Sequence, residues 1–201
     1  MGKARDTLTE LIEQRLESGT DITALDQKIW AMFGEPWAIL CSDMSGFTKR
    51  TDEFGIIHFL TLIHEMQKLL SPIILSHSGF LLKTEADNIF AIFRDPVQSI
   101  RCAIAMNEAT HFYNSRKSEE FQIMICIGIG YGKVIKIGDE DCYGNEVNYA
   151  FKLGEDTAKA GEILLTPDTY NTVVQHLTML KFTPKETEKI GLVHQYYKLE
   201  Y

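Results

Sequence analysis

The sequence predicts an α+β fold: a mixed central sheet with flanking helices, most of them on one face. Three observations predict it. Short apolar runs bounded by turn residues recur in pairs, as strands joined by hairpins do. Segments with a 3.6-residue apolar period separate those pairs and place helices between them. The 201 residues, 45% hydrophobic and 24% charged, suffice for one domain with an appendage, since a chain of this size buries roughly 70% of its unfolded surface without metal or disulfide staples.

Residues 1–36 read as a helical segment. Leu8, Leu11, Ile12 and Leu16 keep the helical period, and Ser18-Gly19-Thr20 breaks it. Asp21 is placed to cap a second helix carrying Ile22, Leu25, Ile29 and Met32, which Gly34 and Pro36 end. The segment reads as a helix pair packed on the domain, or as a dimerising or signal-receiving element.

Residues 37–201 read as the main domain. Trp37–Ser42 is a buried strand closed by the turn Asp43–Gly46. One long helix follows, with Phe59, Leu62, Ile63, Met66, Leu69, Leu70 and Ile73 on its inner face; Pro72 should kink it and Gly79 stop it. Phe80–Thr84 and Ile89–Phe93 form a hairpin around Glu85-Ala86-Asp87-Asn88. Asp95-Pro96 starts a helix with a cap followed by proline. Gln122–Ile129 and Lys133–Ile137 read as strands joined by a turn at Gly128-Ile-Gly130-Tyr-Gly132. A helix over Glu146–Ala160, a strand over Glu162–Leu165, a helix from Pro167 to about His176 and a last strand over Tyr196–Tyr201 complete the order β-α-β-β-α-β-β-α-β-α-β.

Composition narrows the function classes. A formal net charge of −8 argues against a polymeric nucleic-acid partner, which needs a basic surface. Cys41, Cys102, Cys126 and Cys142 form no C-x-x-C and suit reduced thiols in the cytoplasm. The start MGKARDTLTE lacks the apolar run of a signal peptide, and Asp6 stands where myristoylation wants Ser or Thr. No apolar run is long enough to span a bilayer, so no transmembrane segment is expected.

Two aspartates stand out by position. Asp43 opens the turn after the first strand and Asp87 sits in the hairpin turn. Carboxylates at adjacent strand ends can hold Mg²⁺, which takes oxygen ligands and leaves positions for water or phosphate. Aspartate is also common in turns for local hydrogen bonding alone. The turn through Gly46, Phe47 and Thr48 leads into a helix whose free N–H groups suit an anion such as a triphosphate.

Ser42-Asp43-Met44-Ser45-Gly46-Phe47-Thr48 resembles the D-I-x-G-F-T signature of class III nucleotidyl (adenylate/guanylate) cyclase catalytic domains. Lys83-Thr84-Glu85-Ala86-Asp87 is similar to the family's K-x-x-G-D hairpin, and Ile127 to Val134 to its G-I-x-x-G-x-V segment. Asp141-Cys142-Tyr143-Gly144-Asn145-Glu146-Val147-Asn148 follows D-x-x-G-x-x-V-N, and Ala160 to Leu164 follows A-x-x-G-x-I. Five blocks in family order run from Trp37 toward Tyr201.

The resemblance implies a ferredoxin-like cyclase-homology fold and adenylate cyclase activity, ATP to 3′,5′-cyclic AMP and pyrophosphate. It implies that Asp43 and Asp87 bind two Mg²⁺ or Mn²⁺ ions, that Lys83 and Asp141 read adenine, and that Asn148 orients the ribose. Lys189 corresponds to a phosphate-binding lysine. The family builds its sites in a head-to-tail homodimer, metal aspartates from one chain facing base-reading and ribose residues from the other, so two complete sites are expected per dimer and none per monomer.

Departures are equally specific. Lys152 stands where the family has an arginine that stabilises the transferring phosphate; it keeps the charge but loses the planar fork. Ala86 replaces a glycine and costs about 1 kcal/mol if φ is positive there. Glu85 adds a like charge near Asp87, and Cys126 replaces a common arginine. These changes leave open a weakly active or inactive cyclase-homology domain that binds nucleotide or dimerises as a regulator, or a cyclase for another base.

Overall fold

The structure, a computed structural model, describes residues 2–186 and 195–201, except for the side chains of 47–50. Two helices come first, α1 (Lys3–Leu16) and α2 (Ile22–Phe33). Asp21 caps α2 as its position predicts, accepting the Ala24 N–H at 3.0 Å. Leu11, Leu25, Ile29 and Phe33 bury one another in a small core that reaches Ile135.

Strand β1 (Gly34–Met44) is longer than the apolar run and lies at the centre of the sheet. Helices α3 (Phe47–Phe54) and α4 (Ile56–Ser76) follow. The expected single helix is therefore two, broken at Gly55, whose φ of 84° lies in the left-handed region that glycine enters without a steric penalty. Helix α4 runs through Pro72 and ends at Ser76, so Gly79 does not stop it. Gly79 opens strand β2 (Gly79–Glu85), where an added Cβ would meet the Phe93 ring 2.5 Å away.

Strand β3 (Asn88–Phe93) completes the predicted hairpin, and helix α5 (Pro96–Asn114) starts where Asp95 accepts the Val97 N–H at 2.9 Å. Strand β4 (Ile125–Ile137) corrects the glycine-turn expectation, because Gly128, Gly130 and Gly132 lie inside one continuous strand. Short strand β5 (Asp141–Tyr143) pairs with the end of β4. Helix α6 (Asn145–Phe151) passes into a π-helical turn over Lys152–Thr157. Strand β6 (Ile163–Leu165), helix α7 (Pro167–Val173), strand β7 (Lys181–Glu186) and strand β8 (Gln195–Glu200) finish the described chain.

The eight strands make one mixed sheet in the order β2-β3-β1-β4-β6-β8-β7, with β5 beside β4. Only β4–β6 is parallel. Alternation along β1 divides the core, since successive side chains face opposite sides of a strand. Ala38, Leu40 and Met44 pack under α4, α5 and α7, while Trp37, Ile39 and Cys41 pack under α6. The helices thus cover both faces, with most of them on one.

The glycines of β4 explain how α6 sits so close. A Cβ on Gly128 would lie 2.5 Å from the Gly154 nitrogen and nearer still to the Ala150 carbonyl. Glu146 fastens the same helix: its carboxylate accepts the Tyr131 N–H at 3.0 Å and the Thr166 hydroxyl at 2.6 Å. Burial is the first cause that raises its pKa.

Candidate active site

The strand register brings the two aspartates together. Ser42 pairs with Ile89, so Asp43 at the end of β1 lies beside the start of β3, and Asp87 immediately precedes that strand. Their carboxylates are close enough to repel each other. Asp43 is pushed up to about 7, first by burial, then by the charges of Asp87 and Glu155. Asp87 is also raised, chiefly by burial. Among the described residues no cation counters this negative charge.

A divalent cation suits these donors. All are oxygens, repulsion between them is uncompensated, and the side-chain oxygen of neighbouring Asn88 is buried with no hydrogen-bond partner. Among the described residues no group of three or more His, Cys, Asp or Glu is arranged to hold a metal. Two carboxylates would leave the other positions to water and phosphate oxygens, as Mg²⁺ prefers. Gly46, at φ 87°, precedes α3, whose first N–H groups have no side-chain cap. The side chains of Phe47 and Thr48 are outside the description.

A second group of residues lines a cavity of about 370 Å³. A register shift between Leu81 and Lys83 puts Lys83 opposite Phe90, on the α6 face of the sheet. There Lys83 Nζ donates to Asp141 Oδ2 at 2.6 Å, a bond that raises the lysine pKa. Asp141 is 6% exposed; its Oδ1 accepts the Cys142 N–H at 2.9 Å and its Oδ2 the Tyr143 hydroxyl at 3.0 Å. Asn148 faces the same cavity from α6, and the edge-to-face pair Phe90–Phe151, centroids 5.0 Å apart, gives it an apolar wall. Asp43 and Asp87 do not line it.

The remaining predicted positions divide. Lys152 is exposed on the π-helical turn and has no ion-pair partner among the described residues. Lys189 lies outside the described residues. Ala86 has φ 50°, the left-handed conformation its replacement of glycine brings into question. Cys126 pairs with Asp43 across the ladder, its thiol pushed up to about 11 by burial.

Two neighbours of the site were not legible as such in the sequence. Glu155 accepts the Asn88 side-chain N–H at 3.0 Å and adds negative charge near both aspartates. Tyr143 is bonded to Asp141, and only its place inside the D-x-x-G block could have pointed to it.

Comparison with known proteins places this geometry. The profile of the adenylate and guanylate cyclase catalytic domain matches residues 34–193. Adenylate cyclase 1 of Rhizobium meliloti is 26% identical over 215 aligned residues, covering 94% of this chain and 31% of that protein. The chain spans 15% to 31% of the length of the first curated relatives it matches. Among solved structures, the adenylyl cyclase CyaB from P. aeruginosa superposes with a TM-score of 0.69 at 23% identity, covering 84% of this chain and 95% of that one. The guanylate cyclase domain of RhGC from Catenaria anguillulae, in complex with GTP, gives 0.68 at 19% identity, covering 83% and 96%.

Proposed function

The chain belongs to the adenylate and guanylate cyclase catalytic domain family, and from that premise we propose that it converts ATP to 3′,5′-cyclic AMP and pyrophosphate in a head-to-tail homodimer. The observation that carries the choice of base is the Lys83–Asp141 pair at 2.6 Å in the cavity. Lysine donates to ring N1 of adenine and the carboxylate accepts from its 6-amino group. Guanine presents the opposite pattern on that edge and leaves both groups mismatched.

Asp43 and Asp87 would hold two Mg²⁺ or Mn²⁺ ions, which when bound supply Lewis-acid stabilisation to the triphosphate and the 3′-oxygen. The chain's own residues do the positioning. The N–H groups at the start of α3, after Gly46, face a polyanion. Asn148 orients the ribose so that the 3′-oxygen lies in line with the α-phosphorus and the pyrophosphate oxygen. Lys152 lends positive charge to the α-phosphoryl group, without the bidentate fork of an arginine. Lys189, outside the described residues, would add charge at the leaving pyrophosphate.

Two groups on one chain support a shared site: Asp43 and Asp87 do not themselves line the cavity of Lys83, Asp141 and Asn148, although their neighbours Asn88 and Glu155 do. In a two-fold dimer each cluster meets the other chain's complement. In this reading residues 1–36 are the N-terminal segment, helical as far as Phe33, and 37–201 the catalytic-type domain. The reduced, buried thiols support a cytoplasmic setting. Among the described residues no helix is long and apolar enough to cross a membrane.

A second reading, a domain with little turnover, is favoured by Lys152 and by the left-handed Ala86. One assay separates the two. The purified chain is incubated with Mn²⁺ and ATP, GTP, CTP or UTP at concentrations where the dimer forms. Cyclic AMP from ATP is expected; no cyclic product from any nucleotide refutes the enzyme.

A further inference from the structure

The geometry points to Tyr143 as a positioning residue that fixes which oxygen of Asp141 meets the base and thereby sets selectivity for adenine over guanine. This rests on reading Lys83 and Asp141 as the base-recognition pair.

The starting observation is the hydrogen-bond capacity of Asp141. A carboxylate offers about four lone-pair sites. Oδ2 receives Lys83 Nζ at 2.6 Å and the Tyr143 hydroxyl at 3.0 Å, and Oδ1 receives the Cys142 N–H at 2.9 Å. One acceptor site is left, on Oδ1. That is enough for the 6-amino group of adenine. Guanine offers two adjacent donors, at N1 and N2, and needs two acceptors. Tyr143 fills the one that would complete the pair.

Tyr143 is 51% exposed, so packing alone does not hold its ring. Arg5 of α1 lies beside it: Arg5 Nε donates to Glu140 at 2.7 Å, and Tyr143, after Glu140, is among the groups that raise the Arg5 pKa. The Tyr143 hydroxyl donates to Asp141, and the neighbouring guanidinium charge strengthens that donor. The path Arg5–Tyr143–Asp141–Lys83 joins the N-terminal helical segment to the cavity, and a displacement of α1 would be felt at the base before it reached the metal-side aspartates.

The test uses the full chain as wild type, Tyr143→Phe, Arg5→Gln and the double variant. Two ratios are read for each: initial rates with ATP against GTP in Mn²⁺, and the concentrations of ATP and GTP that displace a fluorescent ATP analogue. Loss of a hydrogen bond to a charged group predicts that Tyr143→Phe narrows the ATP preference about ten-fold in both ratios. Arg5→Gln narrows it roughly three-fold, the scale of an exposed ionic contact. The double variant matches Tyr143→Phe, because both changes act through one hydroxyl. A purely structural role would lower both rates equally and leave the ratios unmoved. Unchanged ratios in Tyr143→Phe, additive losses in the double variant, or a wild type without base preference overturn the assignment. Absence of cyclic product with intact displacement ratios would sink the cyclase reading and leave this one standing.

Discussion

Gly128→Ala is the most informative single perturbation of the scaffold. The added Cβ would lie 2.5 Å from the Gly154 nitrogen and 3.0 Å from Leu153 Cβ, with the Ala150 carbonyl closer than either. Ordinary contacts of this kind need roughly 3.5 Å, so the π-helical turn must retreat by about 1 Å at Gly154, and α6 by more at the Ala150 carbonyl. Two of the three obstacles are backbone atoms, which no rotamer change can move aside. Overpacking of this kind costs about 1–3 kcal/mol, a fall in melting temperature of roughly 2–12 °C for a chain this long. The functional effect should be larger, since α6 carries Asn148 and the turn carries Lys152. A displacement of about 1 Å at positioning groups can lower kcat on the order of a hundred-fold. Lys83 and Asp141 lie on β2 and β5 and should keep their base preference. Thermal unfolding and initial rates with ATP and GTP measure all three quantities. A folded variant with near wild-type kcat would refute the idea that this close approach positions the helix.

Lys152→Arg should preserve or raise kcat by restoring a bidentate contact to the phosphoryl oxygens; a large loss measured in the same assay would show that position 152 has another role. Ala86→Gly should raise the melting temperature by roughly 2–4 °C, because a left-handed alanine costs about 1 kcal/mol; no rise would mean the hairpin accepts alanine without strain. Metal-free protein should show the pH signature of Asp43. Its folded pKa, about 7 against 3.8 as the ordinary value, favours the protonated form on folding. The wild type in EDTA should therefore lose stability relative to Asp43→Asn as pH rises from 4 through 7, and Mn²⁺ should reverse the loss. A difference in melting temperature that stays constant across this range would refute the assigned burial and repulsion.

What the sequence made legible was local. Asp95 before Pro96 and Asp21 before Ile22 are caps whose hydrogen bonds span two or three residues, and both form. The hairpin around Asp87 needs only neighbouring residues to be recognised. Gly128, Gly130 and Gly132 misled for the converse reason. Three alternate glycines resemble a chain reversal, yet Gly128 and Gly130 answer to backbone of α6 and its π-helical turn and Gly132 to the Glu146 side chain, roughly fifteen to twenty-five residues on, which local pattern cannot display. Strand β5 has three residues, too few for a period, and β7 is an exposed strand with Pro184 in it. The apolar period of α4 begins only after Gly55 and does not report on α3, so the left-handed φ of Gly55 is what marks the break. At the site, position at strand ends singled out Asp43 and Asp87, and the family resemblance added Lys83, Asp141 and Asn148. Neither disclosed Glu155 or the bond from Tyr143, because those contacts depend on how α6 and β5 meet the sheet.

The shared site is tested most directly by mixing two inactive variants. Asp43→Ala removes the metal-side cluster and Asn148→Ala the ribose-side residue, and each homodimer should be nearly inactive. Co-refolded or exchanged at equal amounts, they form a heterodimer in which one site carries both changes and the other carries neither. About half of the dimers are then heterodimers with one intact site, so roughly a quarter of wild-type cyclic AMP production should return. Activity that stays at the level of the separate variants, with heterodimer present by mass, would contradict a site built from two chains.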